Sequence, residues 1–595
     1  MPTITAPSSV QIPTTKPGAS INVDCSGGAT VRVDWVGPGG ITGSRTVKNI
    51  AEDVPAGISL PDSCTFTLTA LDGTATYTGP MLGDSLQALV SGAGKTTRVA
   101  LLGNSITAQA RPYISGENYT AGSWTPGGAV TAGLTLNPPS WDISAGVNFI
   151  KAQCITAGNM GTSEPLWPTT IGATVTDGTV VWQMVASTYT SAGYTLNWWS
   201  IAQALSGWPL DEVFICGQSG RQSDTILGVL DRALAASPDV VFFASVFEND
   251  IWPGSAPTLA TISARFDAYV SAVDRVRALG KRVIVQTLLP SGNVDSSSGF
   301  TGYSRGNGTK AYSWLNQKIR EMARARSDVI LFEPDLLYLD PDPAKGGVYP
   351  ENAATFLSQS GSGQQLKYTD GIHPYNAARW KIGRALALLL QKYFQAPARF
   401  GGASDETSRM PNPLKGGTTG TLGTNMSGTV ATGLTVHAYG TGTGVGSAVA
   451  RTDVAGNWQR VAYSTTVADN VVCAPTAAVA LGQYAIGDVV RAFAEVRILA
   501  APTLLTAPQI NLRFNGAGAA YDAVIGGRDG GNNDQDHGQF CATDTTLVLA
   551  TPPVRIPSAA TGMFVYSQAF GRGAAGFTVD FGRESIQRQS VGALA

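Results

Sequence analysis

Two kinds of hydrophobic pattern divide the chain. Up to about residue 92, apolar and polar positions alternate in short runs, as in Ser20-Ile-Asn-Val-Asp24, Thr30-Val-Arg-Val-Asp-Trp35 and Thr65-Phe-Thr-Leu-Thr69, with Gly, Pro, Ser and Asp between them. Alternation of period two broken by turn formers predicts short half-buried strands. Residues 1–92 therefore read as a β domain serving as attachment or spacer. From about residue 93 to 400 the pattern changes to continuous apolar runs separated by segments of helical period. Strands are predicted at Val99–Leu102, Glu212–Cys216, Val240–Ala244, Arg282–Leu288 and Val329–Phe332. Helices are predicted at Leu196–Leu205, Thr225–Ala236, Leu259–Leu279 and Tyr312–Arg326. A last helix is expected from Pro374, because proline suits a first helical position. Strands alternating with helices imply a parallel sheet with helices on both faces.

The stretch 111–191 interrupts that alternation. It is rich in Gly, Thr, Pro and Trp, holds β-like pieces such as Thr179-Val-Val-Trp182, and leaves the chain just after the first predicted strand. In open α/β sheets ligands bind beyond the carboxyl ends of the strands, so an insert there is expected to wall or cover a cleft. Beyond Tyr393, Ala396-Pro-Ala-Arg-Phe-Gly-Gly402 and Pro411-Asn-Pro413 look like a linker. Residues 401–595 return to short alternating runs, such as Asp488–Val496 and Gly576–Phe581, the pattern of a β-sandwich or jelly roll. The chain is thus expected to be multidomain, an α/β unit flanked and interrupted by β modules.

Composition narrows the partners. Charged residues make up 14%, against about 25% in ordinary globular proteins. The formal net charge is −2 with no basic run, which gives no support to nucleic acid as a partner. No apolar run approaches the ~20 residues of a membrane span. The first residues lack the basic head and apolar core of a secretory signal. Cys25, Cys64, Cys154, Cys216, Cys473 and Cys541 are scattered without a Cys-x-x-Cys pair, so they read as buried hydrophobes and not as a zinc or redox site.

Candidate chemistry lies at the ends of the predicted strands. Gly103-Asn104-Ser105 follows the first one and presents a hydroxyl, which needs a base to act as a nucleophile. On its own it is an ordinary turn. Of three histidines only His373 falls in the α/β region, in Tyr368-Thr-Asp-Gly-Ile-His-Pro374. There Asp370 can reach the imidazole Nδ1, fix its tautomer and leave Nε2 to take a proton from Ser105. An acyl-transfer site also needs oxyanion donors. Cys216-Gly-Gln-Ser-Gly-Arg-Gln-Ser-Asp224 follows the second strand, and Gly220 offers an unobstructed backbone N–H. Val246-Phe-Glu-Asn-Asp-Ile251 follows the third, and Asn249 offers a side-chain amide. Each segment alone is unremarkable; their order after successive strands is the informative feature.

These four segments resemble the blocks of the SGNH (GDSL-like) hydrolase family over about residues 95–395, the insert excluded. The resemblance implies a three-layer α/β/α fold. It makes Ser105 the nucleophile and Asp370 and His373 the other triad members. Gly220 and Asn249 would complete an oxyanion hole with the Ser105 N–H. Two positions depart from the family pattern: Asn104 stands where an aspartate is usual, and Phe247 where a glycine is usual. A bulky side chain at 247 is expected to narrow the pocket or shift Asn249.

The insert, through Gly161-Thr-Ser-Glu-Pro-Leu-Trp-Pro168 and Val175-Thr-Asp-Gly-Thr-Val-Val-Trp182, resembles a small module of bacteriophage tail fibres and tailspikes. Its Trp124, Trp141, Trp167 and Trp182 are either sugar-stacking platforms or the core of a small β module. The leading expectation is a phage tail-associated serine esterase, acting outside the host on O-acetylated surface polysaccharide (capsule or O-antigen). It would need no metal or organic cofactor and would assemble with other tail proteins; whether it forms a homotrimer is left open. The alternatives are a receptor-binding tail protein with a degenerate hydrolase domain, and a cytoplasmic lipase or thioesterase.

Overall fold

A computed structural model describes residues 9–13, 20–23, 31–36, 42–47, 56–59, 65–70, 97–108, 112–115, 124–136, 150–168, 172–186, 191–194, 197–218, 220–251, 258–289, 305–338, 373–374, 376–397, 399–400, 410–465, 469–482, 484–499, 505–516, 545–571 and 575–588. The chain divides into two compact units. The first comprises residues 1–96 and 391–398. Its strands Ser9–Pro13, Thr65–Ala70, Val31–Val36 and Thr42–Val47 pair in that order as an antiparallel sheet, and Ser20–Val23 pairs with Ala56–Ser59.

The second unit, residues 97–390 and 399–595, is built on a five-stranded parallel sheet. Its strands are β1 (Thr97–Asn104), β2 (Leu210–Gln218), β3 (Val240–Phe243), β4 (Arg282–Gln286) and β5 (Val329–Phe332), in the spatial order β2-β1-β3-β4-β5. Val99 to Leu102 in β1 and Val240 to Phe243 in β3 are fully buried, as expected of strands covered on both faces. Between them run the helices α1 (Ser105–Ala108), α2 (Trp198–Ser206), α3 (Ser223–Gly228), α4 (Leu230–Ala235), α5 (Glu248–Ile251), α6 (Leu259–Ala278), α7 (Arg305–Arg324) and α8 (Asn376–Tyr393).

Alternate residues of β3 show the two layers. Phe242 meets Trp198 and Trp199 of α2 on one face, with ring centroids 6.1 Å away in both cases. Phe243 meets Tyr269 of α6 on the other, at 5.4 Å. The segment expected as one helix over Thr225–Ala236 is two. The chain breaks at Val229, whose N–H bonds to the Ile226 carbonyl. Helix α8 begins at Asn376, two residues after Pro374.

The strand order positions the site. From β1 the chain adds β2 on one side and then crosses back to add β3, β4 and β5 on the other, so the winding changes direction between β1 and β3. Such a switch point opens a crevice beyond the strand ends. Gly103 sits at that crossing. A Cβ there would lie 1.7 Å from the Ala244 carbonyl oxygen and 2.0 Å from Thr107 Oγ1, so only glycine lets the two strand ends approach.

The insert leaves and returns through paired strands, Pro112–Ser115 against Ser191–Tyr194, which form its neck. Above the neck, Thr135–Leu136, Ile150–Thr156, Val180–Ala186 and Thr174–Asp177 form an antiparallel sheet. They enclose a small core of Leu136, Ala152, Cys154, Trp167, Val180, Trp182 and Met184.

The C-terminal part is a β-sandwich. Val430–Ala438, Asn470–Pro475, Gly562–Gly571 and Leu505–Asn515 belong to one sheet. Thr443–Ala450, Asn457–Thr465, Ala575–Arg588 and Val489–Ile498 belong to the other. Val436, Cys473, Ile510 and Val565 from the first and Val461, Val490, Phe493 and Val579 from the second fill one apolar core. The boundary expected near residue 400 is not a break in packing. That core also takes in Ala204 of α2 and Trp208 just beyond it. Cys154, Cys216 and Cys473 are buried free thiols; Cys25, Cys64 and Cys541 lie outside the described residues.

Candidate active site

β1 ends at Asn104, and Ser105 begins α1 directly beyond it. The Asn104 side chain organises this corner. Its Oδ1 accepts the Ile106 N–H at 3.0 Å, and the Asn104 backbone N–H donates to the Ser245 carbonyl at 2.9 Å across the switch point. Thr107 donates its hydroxyl to the Ala244 carbonyl, and the Trp198 indole donates to the Ile106 carbonyl at 3.1 Å. The turn carrying Ser105 is therefore fastened to β3 and to α2, while Ser105 itself stays half-buried.

His373 stands 268 positions further along, and its Nε2 lies 2.8 Å from Ser105 Oγ. That is hydrogen-bond distance for a hydroxyl donating to an imidazole nitrogen. The geometry needs the tautomer with Nδ1 protonated. Asp370 falls outside the described residues.

The segments after β2 and β3 are hydrogen-bonded to each other, and the second also to Asn104 beside Ser105. Gly220 is exposed with φ +71°, a left-handed conformation that favours glycine, and a Cβ added there would meet no atom within 4 Å. Asn249 in α5 donates one amide hydrogen to the Arg221 carbonyl at 2.8 Å. An amide has two hydrogens, so the second is left for a ligand by valence. Its neighbours tie α5 to both loops. Glu248 accepts the Asn104 amide at 2.8 Å, and Asp250 accepts the Ser223 N–H at 2.9 Å and the Ser223 hydroxyl at 3.0 Å. Arg265 of α6 pairs with Asp250 and bonds to Gln222 Oε1 at 2.6 Å. Burial pushes the Asp250 carboxyl up to about 6, with the Ser223 N–H and Arg265 offsetting part of the effect.

Phe247 does not narrow the pocket. It is 1% exposed and packs on Tyr269 at 5.0 Å and Phe266 at 6.4 Å, in the apolar layer beneath α6. The ring is absorbed by the core, and Asn249 bonds to the Arg221 loop.

Of the two readings of the insert's tryptophans, Trp124, Trp167 and Trp182 fit the core of a small β module. Trp182 and Trp167 are buried and meet edge to face at 5.7 Å. Trp124 packs against the same core. Their polar ends are spent internally. Trp124 and Trp182 donate to Asp177 at 2.8 and 3.1 Å, and Trp167 donates to Glu164 at 2.7 Å. Trp141 lies outside the described residues. The insert also leans on the α/β unit, where Arg232 of α4 faces Glu164 at 3.9 Å.

Glu248, Asp250, Ser223 and Arg265 were not singled out in the sequence. Asp250 had a signal, since it directly follows the candidate Asn249. For Glu248 there was none, because burial of a carboxylate is invisible until the strand order is known. Among the described residues no cluster of His, Cys, Asp and Glu could hold a metal ion, and no helix is long and apolar enough to cross a membrane.

No protein-family model and no curated protein matches this chain. Solved structures similar to it include a GDSL-like lipase from Bacteroides thetaiotaomicron, with 16% identity and a TM-score of 0.23, covering 31% of this chain and 75% of that one. An acetylxylan esterase from Geobacillus stearothermophilus, solved as a catalytic mutant, shares 16% identity with a TM-score of 0.23, covering 33% and 78%. A structure of carbohydrate-binding modules of the β-sandwich superfamily shares 12% identity with a TM-score of 0.20, covering 26% and 57%.

Proposed function

We propose that the chain is a serine esterase that deacetylates polysaccharide by a Ser105–His373 acyl-enzyme mechanism. One observation carries this reading: the 2.8 Å approach of Ser105 Oγ and His373 Nε2 at a sheet switch point. In this mechanism His373 Nε2 takes the Ser105 proton as Oγ attacks the ester carbonyl carbon. The carbonyl oxygen becomes an oxyanion, held by the N–H groups of Ser105 and Gly220 and the free amide hydrogen of Asn249. Collapse expels the sugar oxygen, which takes the proton from His373, and leaves acetyl on Ser105. A water molecule, deprotonated by His373, then releases acetate and restores the serine. Asp370, three residues before His373, is assigned to orient the imidazole through Nδ1.

Ser105 and His373 are both half-buried, which suits a nucleophile and base that a substrate must reach. The polysaccharide substrate and a place in a bacteriophage tail rest on the resemblance of the insert to tail-fibre modules. The burial of Phe247 in the core, away from the site, supports an active over a degenerate hydrolase domain.

Hydrolysis of p-nitrophenyl acetate tests the chemistry. Ser105→Ala and His373→Ala should each lose at least about 10³-fold in kcat, in line with loss of a member of such a unit. A Ser105→Ala protein that works at the wild-type rate refutes the assignment. The substrate class is read by NMR of acetylated polysaccharide before and after treatment, where released acetate is expected.

A further inference from the structure

The structure assigns Glu248 as a positioning residue that holds the nucleophile in place through Asn104. This assignment rests on the esterase reading above. α5 is a single turn of four residues, and three consecutive side chains in it reach three different places. Asn249 holds the Arg221 carbonyl next to Gly220, Asp250 holds the start of α3, and Glu248 holds Asn104 next to Ser105. Glu248 and Asn104 are both buried, so their 2.8 Å contact is shielded from water.

The pair also explains why position 104 is an amide. Asn104 uses its Oδ1 as an acceptor for the Ile106 N–H, a task a carboxylate would perform equally well. Its Nδ2 hydrogen is what Glu248 requires. An aspartate at 104 would set two carboxylates at hydrogen-bond distance in a buried site, where both cannot stay ionised. The amide at 104 and the carboxylate at 248 are thus a matched set, and the orientation of the Ser105 turn depends on the match.

The test is a reciprocal exchange, read by kcat and KM on p-nitrophenyl acetate together with thermal unfolding of each full-length variant. Glu248→Gln keeps an acceptor and should lose little. Asn104→Asp should lower kcat tenfold to a hundredfold, on the order expected for a displaced reacting group, with KM nearly unchanged. The double variant Asn104→Asp, Glu248→Gln restores a donor opposite an acceptor and should return kcat to within about threefold of wild type, a coupling that separate effects do not produce.

A double variant no faster than Asn104→Asp overturns the assignment, as does an Asn104→Asp enzyme with wild-type kcat. Should Asn104→Asp alone fail to fold, the double variant must still fold and match Glu248→Gln; failure of the double as well overturns the assignment. If Ser105→Ala leaves hydrolysis intact, the esterase reading falls and takes this inference with it. Ser105-dependent hydrolysis without coupling removes the inference alone.

Discussion

At the scale of single residues, Gly103 and Phe247 show how backbone and core set the chemistry. At Gly103 an added methyl would collide with backbone, the Ala244 carbonyl oxygen, which a rotamer change cannot relieve. Gly103→Ala should therefore part β1 from β3, costing more than about 3 kcal/mol and displacing Ser105, as measured by urea unfolding alongside hydrolysis. A Gly103→Ala protein with normal stability would mean the strands do not meet as described. Phe247 carries the opposite lesson. Its ring contributes packing, so Phe247→Ala should lose about 3–5 kcal/mol of stability, and an increase in rate on bulky esters is not expected. In the sequence the ring looked like an obstruction because only its position in a motif was visible. That it packs into the α6 layer depends on Phe266 and Tyr269, which the motif does not contain. Ser105 and His373 were legible for a different reason: one follows a recognisable strand end and the other precedes a recognisable helix start, and chemistry limits which residue types suit those places.

At the scale of elements, the five parallel strands were legible because buried strands are continuous apolar runs, and their ends came within a few residues. The break at Val229 was not, since the apolar period runs through it unaltered. α5 was not legible either, being one turn long with polar residues facing three partners. Its Asp250 yields a pH prediction. Burial holds that carboxyl at about 6 in the folded protein, above the ~3.9 of an unfolded chain. Between those values the folded state binds more protons than the unfolded state, so this group lowers stability as pH rises from about 4 to 6. Its cost is complete above pH 6 and absent below pH 4. Asp250→Asn removes the titration, so over pH 4–6 the urea midpoint should fall less, or rise more, with pH in the variant than in wild type. Equal slopes would show that Asp250 ionises as in water. The same substitution weakens the hold of Arg265 on Asp250, so the Gln222 loop bearing Gly220 should lose rate at pH 8 as well.

At the scale of the second unit, the sandwich and the α/β layers share an interior. The chain passes Gly207 and then places Trp208 at φ +55°, an unusual backbone for a large side chain. Burial compensates: Trp208 is fully enclosed, its carbonyl accepts from Arg399 at 2.7 Å, and the Arg491 guanidinium lies 4.1 Å above its ring. Arg491 then crosses to the edge strand β2, where it meets Glu212 at 2.9 Å, and the Trp199 indole donates to the other Glu212 oxygen at 2.9 Å. None of this was readable from the chain, because Glu212 and Arg491 are 279 positions apart and a Gly/Pro-rich stretch near residue 400 has the composition of a linker.

The consequence is that residues 399–595 act as part of the folding unit of the α/β layers. Arg491→Met leaves Glu212 as a buried charge short of its partner and should cost about 3–5 kcal/mol, while Arg491→Met with Glu212→Gln should recover most of that loss. A chain cut after residue 398 would expose Trp208 and strip Glu212 of its cation together, and it should be recovered as aggregate or with sharply lowered Tm and no esterase rate. A soluble, active truncated protein would show instead that the sandwich is a detachable module. In that case the shared core would be a docking contact only, and the rate at Ser105 would not depend on it.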